Sequence, residues 1–203
     1  MLNDKFFLDM ASRLAEESHC VSLHVGAVIV RDKRIISMGY NGSPEGLPNC
    51  DEQLAKGIFT REEHHSWSLV NEIHAEMNAL MYAAKCGISV LDCTIYVTHK
   101  PCYECMKNIS QSGIKRVVYL HDYKYSDIPE GSSKYMGISV ERFDPSRIEN
   151  DGIRKQLSNL QMMYNANLRV GRGITCQKIS KEIDELLDKL KIEENGSQRL
   201  SED

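Results

Sequence analysis

The chain has 203 residues, of which 41% are hydrophobic and 27% charged, with only 13 Gly and 5 Pro. At about 150 residues per domain this is one domain plus an extension, long enough to bury roughly 70% of its unfolded surface without disulfide or metal staples. Lys and Arg total 25 against 29 Asp and Glu, a net charge of −4, and the counts are 15 basic to 19 acidic before Pro145 and 10 to 10 from it onward. Neither part carries the basic excess expected of a duplex- or tRNA-binding protein.

The chain opens with Phe7, Met10, Ala11 and Leu14 at helical spacing behind Asn3, which predicts a first helix over about 4–17. Acids interrupt its apolar pattern, unlike a signal peptide, and no apolar run reaches the ~18 residues of a membrane span. Leu23 to Val30 is β-rich, Arg31-Asp32-Lys33 turns the chain, and Arg34 to Tyr40 completes a hairpin. Residues 41–72 read as a long connection rich in Asn, Gly, Pro and His, a length that loops usually reach for function. From His74 to Cys86 the pattern is helical, with Met77, Leu80, Met81 and Ala84 on one side and Gly87 after its end. A strand over Cys93 to Thr98 follows, then a short helix from near Pro101 to near Gly113, and strands over Lys115 to Leu120 and Ile138 to Phe143. A loop or short helix separates the last two strands.

Helices alternating with strands imply an α/β chain whose sheet is covered on both faces. The first two strands are expected antiparallel and the later ones joined by helical crossovers. Pro145 marks a boundary, dividing a domain of 1–144 from an extension of 145–203. In that extension Ile153, Leu157, Leu160 and Tyr164 suit one amphipathic helix. Ile179, Ile183, Leu186, Leu187 and Leu190 suit another. Arg169 to Gly173 reads as their linker, and the last ten residues as a frayed polar end.

The seven cysteines are Cys20, Cys50, Cys86, Cys93, Cys102, Cys105 and Cys176. An odd count without a signal peptide fits a reducing cytoplasm, where clustered cysteines point to metal or catalysis. Cys102 and Cys105 stand at i and i+3, on one face of a helix, and a helix N-terminus favours thiolates. A zinc ribbon would need a second Cys-x-x-Cys, which is missing, and a redox pair would leave His74 and Glu76 unexplained. His74 with the two sulfurs makes three ligands and leaves a fourth tetrahedral position for water, the pattern of a catalytic zinc. Glu76, two residues on, can reach that water without binding the metal. His-x-Glu followed by Pro-Cys-x-x-Cys is the signature of zinc nucleobase deaminases.

Four further segments surround this signature. They are His24-Val25-Gly26-Ala27-Val28-Ile29-Val30, Gly39-Tyr40-Asn41-Gly42-Ser43-Pro44, Asn71 to Ala79, and Gln111-Ser112-Gly113-Ile114-Lys115. With them the chain resembles the cytidine deaminase superfamily, and within it the bacteriophage-type deoxycytidylate (dCMP) deaminases, from about Glu17 to Asp127. The resemblance implies a three-layer α-β-α cytidine deaminase-like fold with a mixed sheet of about five strands. It implies a catalytic zinc on His74, Cys102 and Cys105, and a Glu76 that moves one proton from the attacking water to cytosine N3 and then shuttles a proton to the departing ammonia. Asn41 matches the position that contacts the sugar hydroxyl, the Ala75 N–H the one that meets the pyrimidine carbonyl, and Tyr123 lies where the family lines the substrate site. Gly39, Tyr40 and Gly42 match a loop that, in the family, binds dCTP with Mg²⁺ as activator and dTTP as inhibitor. Some phage-type members carry a second, structural zinc. Cys20, Cys50 and His64 match its pattern, with the fourth ligand open between His65 and His19.

What the resemblance implies overall is a cytoplasmic homohexamer, in host cytoplasm if the source is viral. It would act on small-molecule nucleotides and respond to nucleotide effectors, with no nucleic-acid or membrane partner. His24, His99 and His121 read as non-ligands and Trp67 as a packing anchor. The other readings are a deaminase of another cytosine nucleotide or nucleoside, a deaminase of a tRNA adenosine, and a zinc-stabilised binding module without activity.

Overall fold

The computed structural model describes residues 3–126, 137–169 and 173–199. The helix α1 spans Asp4–Ala15, and Asn3 caps it by accepting a hydrogen bond from the Phe6 N–H. The strands β1 (Gly26–Arg31) and β2 (Arg34–Tyr40) follow as a hairpin. Asp32 and Lys33 both take positive φ, 49° and 62°, the backbone of a two-residue turn whose twist matches its strands.

The expected loop over 41–72 is instead broken by two short helices, α2 (Cys50–Ala55) and α3 (His64–Asn71). A six-residue helix is too short to show a 3.6 period, which is why α2 is silent in the sequence. Ahead of α3, Thr60 and Glu63 form a reciprocal box: the Thr60 N–H donates to Glu63 Oε2 at 2.9 Å and the Glu63 N–H to Thr60 Oγ1 at 3.3 Å. Phe59 stacks on Trp67 at 4.3 Å and, with Cys20 and Cys50, forms a small core of its own under this segment.

The helix α4 (Ala75–Lys85) precedes β3 (Thr94–His99), α5 (Tyr103–Gln111), β4 (Arg116–His121) and β5 (Ser139–Arg142). Gly87 closes α4 at φ 66°, a left-handed position that suits glycine. The strands lie in the order β2-β1-β3-β4-β5, with β1 antiparallel to both β2 and β3 and the β3–β4 and β4–β5 pairs parallel. The connection expected between β4 and β5 falls largely on 127–136, outside the described residues.

Alternation along β1 builds two cores. Ala27 and Ile29 face the layer of α4 and α5 and pack with Ala79, Ile95, Val97, Met106 and Val117. Val28 and Val30 face α1 and pack with Phe7, Leu8, Tyr96 and Val118. The result is three layers around a five-stranded mixed sheet. Each fully buried Ile or Val contributes about 1.5–3 kcal/mol relative to exposure.

Residues 144–203 form a second compact unit. It holds α6 (Ser146–Arg169) and α7 (Gly173–Arg199), packed on one another, with Ile153, Ile179 and Leu190 buried. The linker positions 170–172 lie outside the described residues. The frayed end expected over the last ten residues is corrected in part, since α7 continues to Arg199; only 200–203 lie outside the described residues. Lengthening an existing helix adds a hydrogen bond per residue with no new nucleation, so a polar end can stay helical. Among the described residues no helix is long and apolar enough to cross a membrane.

Candidate active site

Two helix N-termini meet to make the first cluster. His74 is the residue before α4, in extended backbone, and Cys102 holds the same place before α5. Both extended entries into a helix therefore aim side chains and free N–H groups at one point, where the helix dipoles favour anions. The approach to α4 is pinned by a two-bond bridge: the Gly42 N–H donates to the Ile73 carbonyl at 3.1 Å and the Ile73 N–H to the Gly42 carbonyl at 2.8 Å. His74 Nδ1 lies 3.5 Å from Cys102 Sγ and 3.3 Å from Cys105 Sγ. Metal–sulfur bonds of ~2.3 Å and metal–nitrogen bonds of ~2.05 Å give tetrahedral edges near ~3.5 Å, so the three atoms fit one zinc with a position to spare.

The electrostatics agree with that donor set. A hydrogen bond from the Cys105 thiol holds Cys102 down to about 4, while the same shared proton and burial push Cys105 up. The Cys102 interaction also raises His74. Glu76, in the first turn of α4, is 4% exposed. Burial pushes its carboxyl above the ordinary range, and the nearby His74 charge opposes that shift.

A cavity of about 560 Å³ opens onto this cluster, within the usual range for small-molecule sites. Asn41, Ala75, Glu76 and Tyr123 line it together with His74 and Cys102. Asn41 is 7% exposed and tied to the start of β1: its Oδ1 accepts from the Val25 N–H at 2.8 Å, and its Nδ2 donates to the Leu23 carbonyl at 2.9 Å. One amide N–H is left for a ligand. Ala75 is the first residue of α4, so its N–H has no acceptor within the helix. Tyr123 meets Tyr125 edge-on at 5.5 Å, and burial raises its hydroxyl.

Gly39, Tyr40 and Gly42 are not among the residues lining this cavity. Gly39 has a packing reason of its own: a Cβ there would come within 2.5 Å of the Ala79 nitrogen and 2.6 Å of the Ala75 carbonyl oxygen, so α4 can rest on β2 only over glycine.

The second cluster gathers Cys20, Cys50, His64 and Glu72. His64 Nε2 is 3.3 Å from Cys50 Sγ, 3.5 Å from Cys20 Sγ and 4.0 Å from Glu72 Oε2, and Cys20 Sγ is 3.5 Å from Glu72 Oε2. These are again the edges of a metal-sized tetrahedron. Burial raises Cys20 and pushes Cys50 up to about 12. Glu72 Oε1 is buried with no hydrogen-bond partner, which a bound cation would explain.

The fourth member is thus Glu72, and the expectation of His65 or His19 is corrected. His65 follows His64 on a helix and so points about 100° away from it; it stacks on Tyr125 at 4.3 Å. His19 pairs with Asp51 at 3.0 Å on the surface. A signal for Glu72 was present, because Glu72 and His74 flank Ile73 in extended backbone, where alternate residues share a face. His24, with Nε2 2.9 Å from the Cys20 carbonyl oxygen, and His99 and His121, packed at 5.2 Å, stand apart from both clusters.

The family model for the cytidine and deoxycytidylate deaminase zinc-binding region matches residues 1–121. The chain is 40% identical over 147 residues to the deoxycytidylate deaminase of Enterobacteria phage T2, covering 57% of this chain and 78% of that one. It is also 40% identical over 141 residues to ComE operon protein 2 of Bacillus subtilis (strain 168), covering 70% of this chain and 71% of that one. Among solved structures, the dCMP deaminase of cyanophage S-TIM5 in complex with dCMP and dUMP superimposes with a TM-score of 0.57 at 32% identity, covering 68% of this chain and 95% of that one.

Proposed function

The chain belongs to the cytidine and deoxycytidylate deaminase family, and from that membership we propose that it hydrolyses dCMP to dUMP and ammonia. The observation that carries this reading is a buried carboxylate, Glu76, two residues from a three-ligand set that opens on a cavity. His74, Cys102 and Cys105 would hold the catalytic zinc, which when bound activates water at neutral pH. The protein's own groups do the rest. The Ala75 N–H meets the pyrimidine carbonyl and Asn41 contacts the sugar with its remaining N–H. Tyr123 walls the ring. Glu76 takes one proton from the attacking water and passes it to cytosine N3. It then takes the second from the new C4 hydroxyl and gives it to the amine, so that the C4–N bond breaks as the C4 carbonyl forms and ammonia leaves. One carboxylate cycles between base and acid, and a raised native pKa brings it nearer the working pH.

Cys20, Cys50, His64 and Glu72 would hold a second, structural zinc, a closed set of four ligands. The resemblance further supports activation by dCTP with Mg²⁺ and inhibition by dTTP through the Gly39-Tyr40-Gly42 segment. It also supports a role in supplying dUMP for dTTP synthesis and a homohexameric assembly. Exposed Met38 and Tyr40 on the edge strand β2, and Met81 and Tyr82 on α4, are apolar surface suited to such association. Free cysteines, including exposed Cys86, support a cytoplasmic setting.

The test is ammonia release from zinc-loaded protein on dCMP, dCTP, deoxycytidine and cytidine, each with and without dCTP and Mg²⁺. Preference for dCMP, raised by dCTP, is the expected result. Preference for another substrate keeps the chemistry and overturns the substrate. Silence on all four favours a binding module.

A further inference from the structure

Three cations converge on the cavity from three separate connections. Arg61 precedes α3, Lys100 lies between β3 and α5, and Lys124 follows β4, and all three line the cavity shared by His74, Cys102 and Glu76. Among the described residues none of the three makes an ion pair. Arg61 donates to the Val21 carbonyl at 3.2 Å, and the Lys124 ammonium sits 4.6 Å from the centre of the Tyr125 ring.

The cavity's acids do not balance these charges. Glu72 belongs to the second cluster and Glu76 is buried beside the first. Asp122 lies 3.1 Å from Arg142, outside the cavity. Glu62 alone remains against three cations. With Glu72 and Glu76 drawn to the two clusters and Asp122 facing Arg142, the three cations are the charged groups of this wall left open to an anion, and their field favours one there. The wall is held by an aromatic joint: His65 stacks on Tyr125 at 4.3 Å with 15° between the rings. Arg61 stands four residues before one partner and Lys124 next to the other, so the stack ties both sides of the rim together.

We propose that Arg61, Lys100 and Lys124, held in place by the His65–Tyr125 stack, seat the phosphate of a nucleoside monophosphate, and that this seat selects a nucleotide over a nucleoside. The proposal rests on the deaminase reading for the placement of the base. A phosphate monoester is close to a dianion at neutral pH. Arg supplies a planar fork for its oxygens and the two Lys supply mobile point charges. An uncharged nucleoside gains nothing from them. His65 is a positioning residue, acting through Tyr125.

The test uses the full, zinc-loaded chain carrying Arg61→Gln, Lys100→Gln or Lys124→Gln, with Lys124→Arg, His65→Ala and His65→Phe alongside. Rates on dCMP and deoxycytidine are compared, and dUMP binding is followed by calorimetry. Each Gln variant is expected to lower the dCMP-to-deoxycytidine ratio of kcat/KM about tenfold or more, mainly through KM, and to weaken dUMP to a similar degree. Lys124→Arg and His65→Phe should retain binding where Lys124→Gln and His65→Ala lose it. An unchanged ratio in all three Gln variants overturns the seat and leaves the deaminase reading standing. Failure of the parent to deaminate either substrate, with dUMP binding that the variants weaken, overturns the deaminase reading and leaves the seat standing. No dUMP binding by the parent overturns the seat. Tighter binding of dCTP than of dCMP, weakened by the same variants, overturns the monophosphate assignment.

Discussion

Replacing Glu76 with Gln keeps the side-chain volume and removes the carboxylate proposed to move the proton. With His74, Cys102 and Cys105 untouched, the variant is expected to bind metal at the first cluster while kcat falls about 10²–10⁴-fold. Zinc per chain by elemental analysis and steady-state rates decide it, and full activity in the variant would remove Glu76 from the mechanism. Glu72 carries a different expectation. Its carboxylate completes the second cluster and leaves one buried oxygen without a partner. Glu72→Ala should therefore lower the metal content from two ions per chain toward one, and lower the melting temperature, because binding to the native state stabilises it. A variant that retains both ions would exclude Glu72 as a ligand. Both residues lie within three positions of His74, yet only Glu76 was legible in the sequence. Its proposed role follows from a short motif, whereas the partners of Glu72 arrive from residues 20, 50 and 64.

At the scale of elements, α1 is fastened to the sheet by one polar network. Arg116 of β4 donates to Asp4 Oδ2 at 2.6 Å and to Glu141 Oε2 at 3.0 Å, and the Tyr96 hydroxyl donates to Asp4 Oδ1 at 2.7 Å. The Arg116 hydrogen bond holds the Asp4 carboxyl below its ordinary value, with burial opposing. A carboxyl lowered in the folded state contributes stability above its unfolded pKa of about 3.9, and loses that contribution as pH falls through the native value. Urea midpoints of the parent and Asp4→Asn should differ at pH 7 and converge in acid, and a gap that persists in acid would exclude the ionised pair as the cause. The regular elements α4, α5 and β1 to β4 were legible because period and turn chemistry agree along them. The helices α2 and α3 were not, although the Thr60–Glu63 box could have announced α3.

Across the whole molecule, both clusters and Glu76 lie within residues 20–105, while 144–203 forms a compact helical unit of its own. A chain ending at residue 144 is expected to keep both metals and turn over dCMP within about threefold of the full chain, as an independently folded domain would. Light scattering on the two forms reads the part α6 and α7 play in assembly. Loss of turnover with the metals retained would show that these helices complete the site.

The sequence by itself determined the members of the first cluster and the layer architecture. His74, Glu76, Cys102 and Cys105 are spaced so that a single turn of helix, or a single extended entry into a helix, orients them, and local hydrogen bonding enforces that spacing. Only the tertiary structure decided that Glu72 joins Cys20, Cys50 and His64, and that Arg61, Lys100 and Lys124 share a rim. Those groups come from connections far apart along the chain, and their meeting depends on how the sheet, α3 and the segment after β4 pack, which no local period encodes.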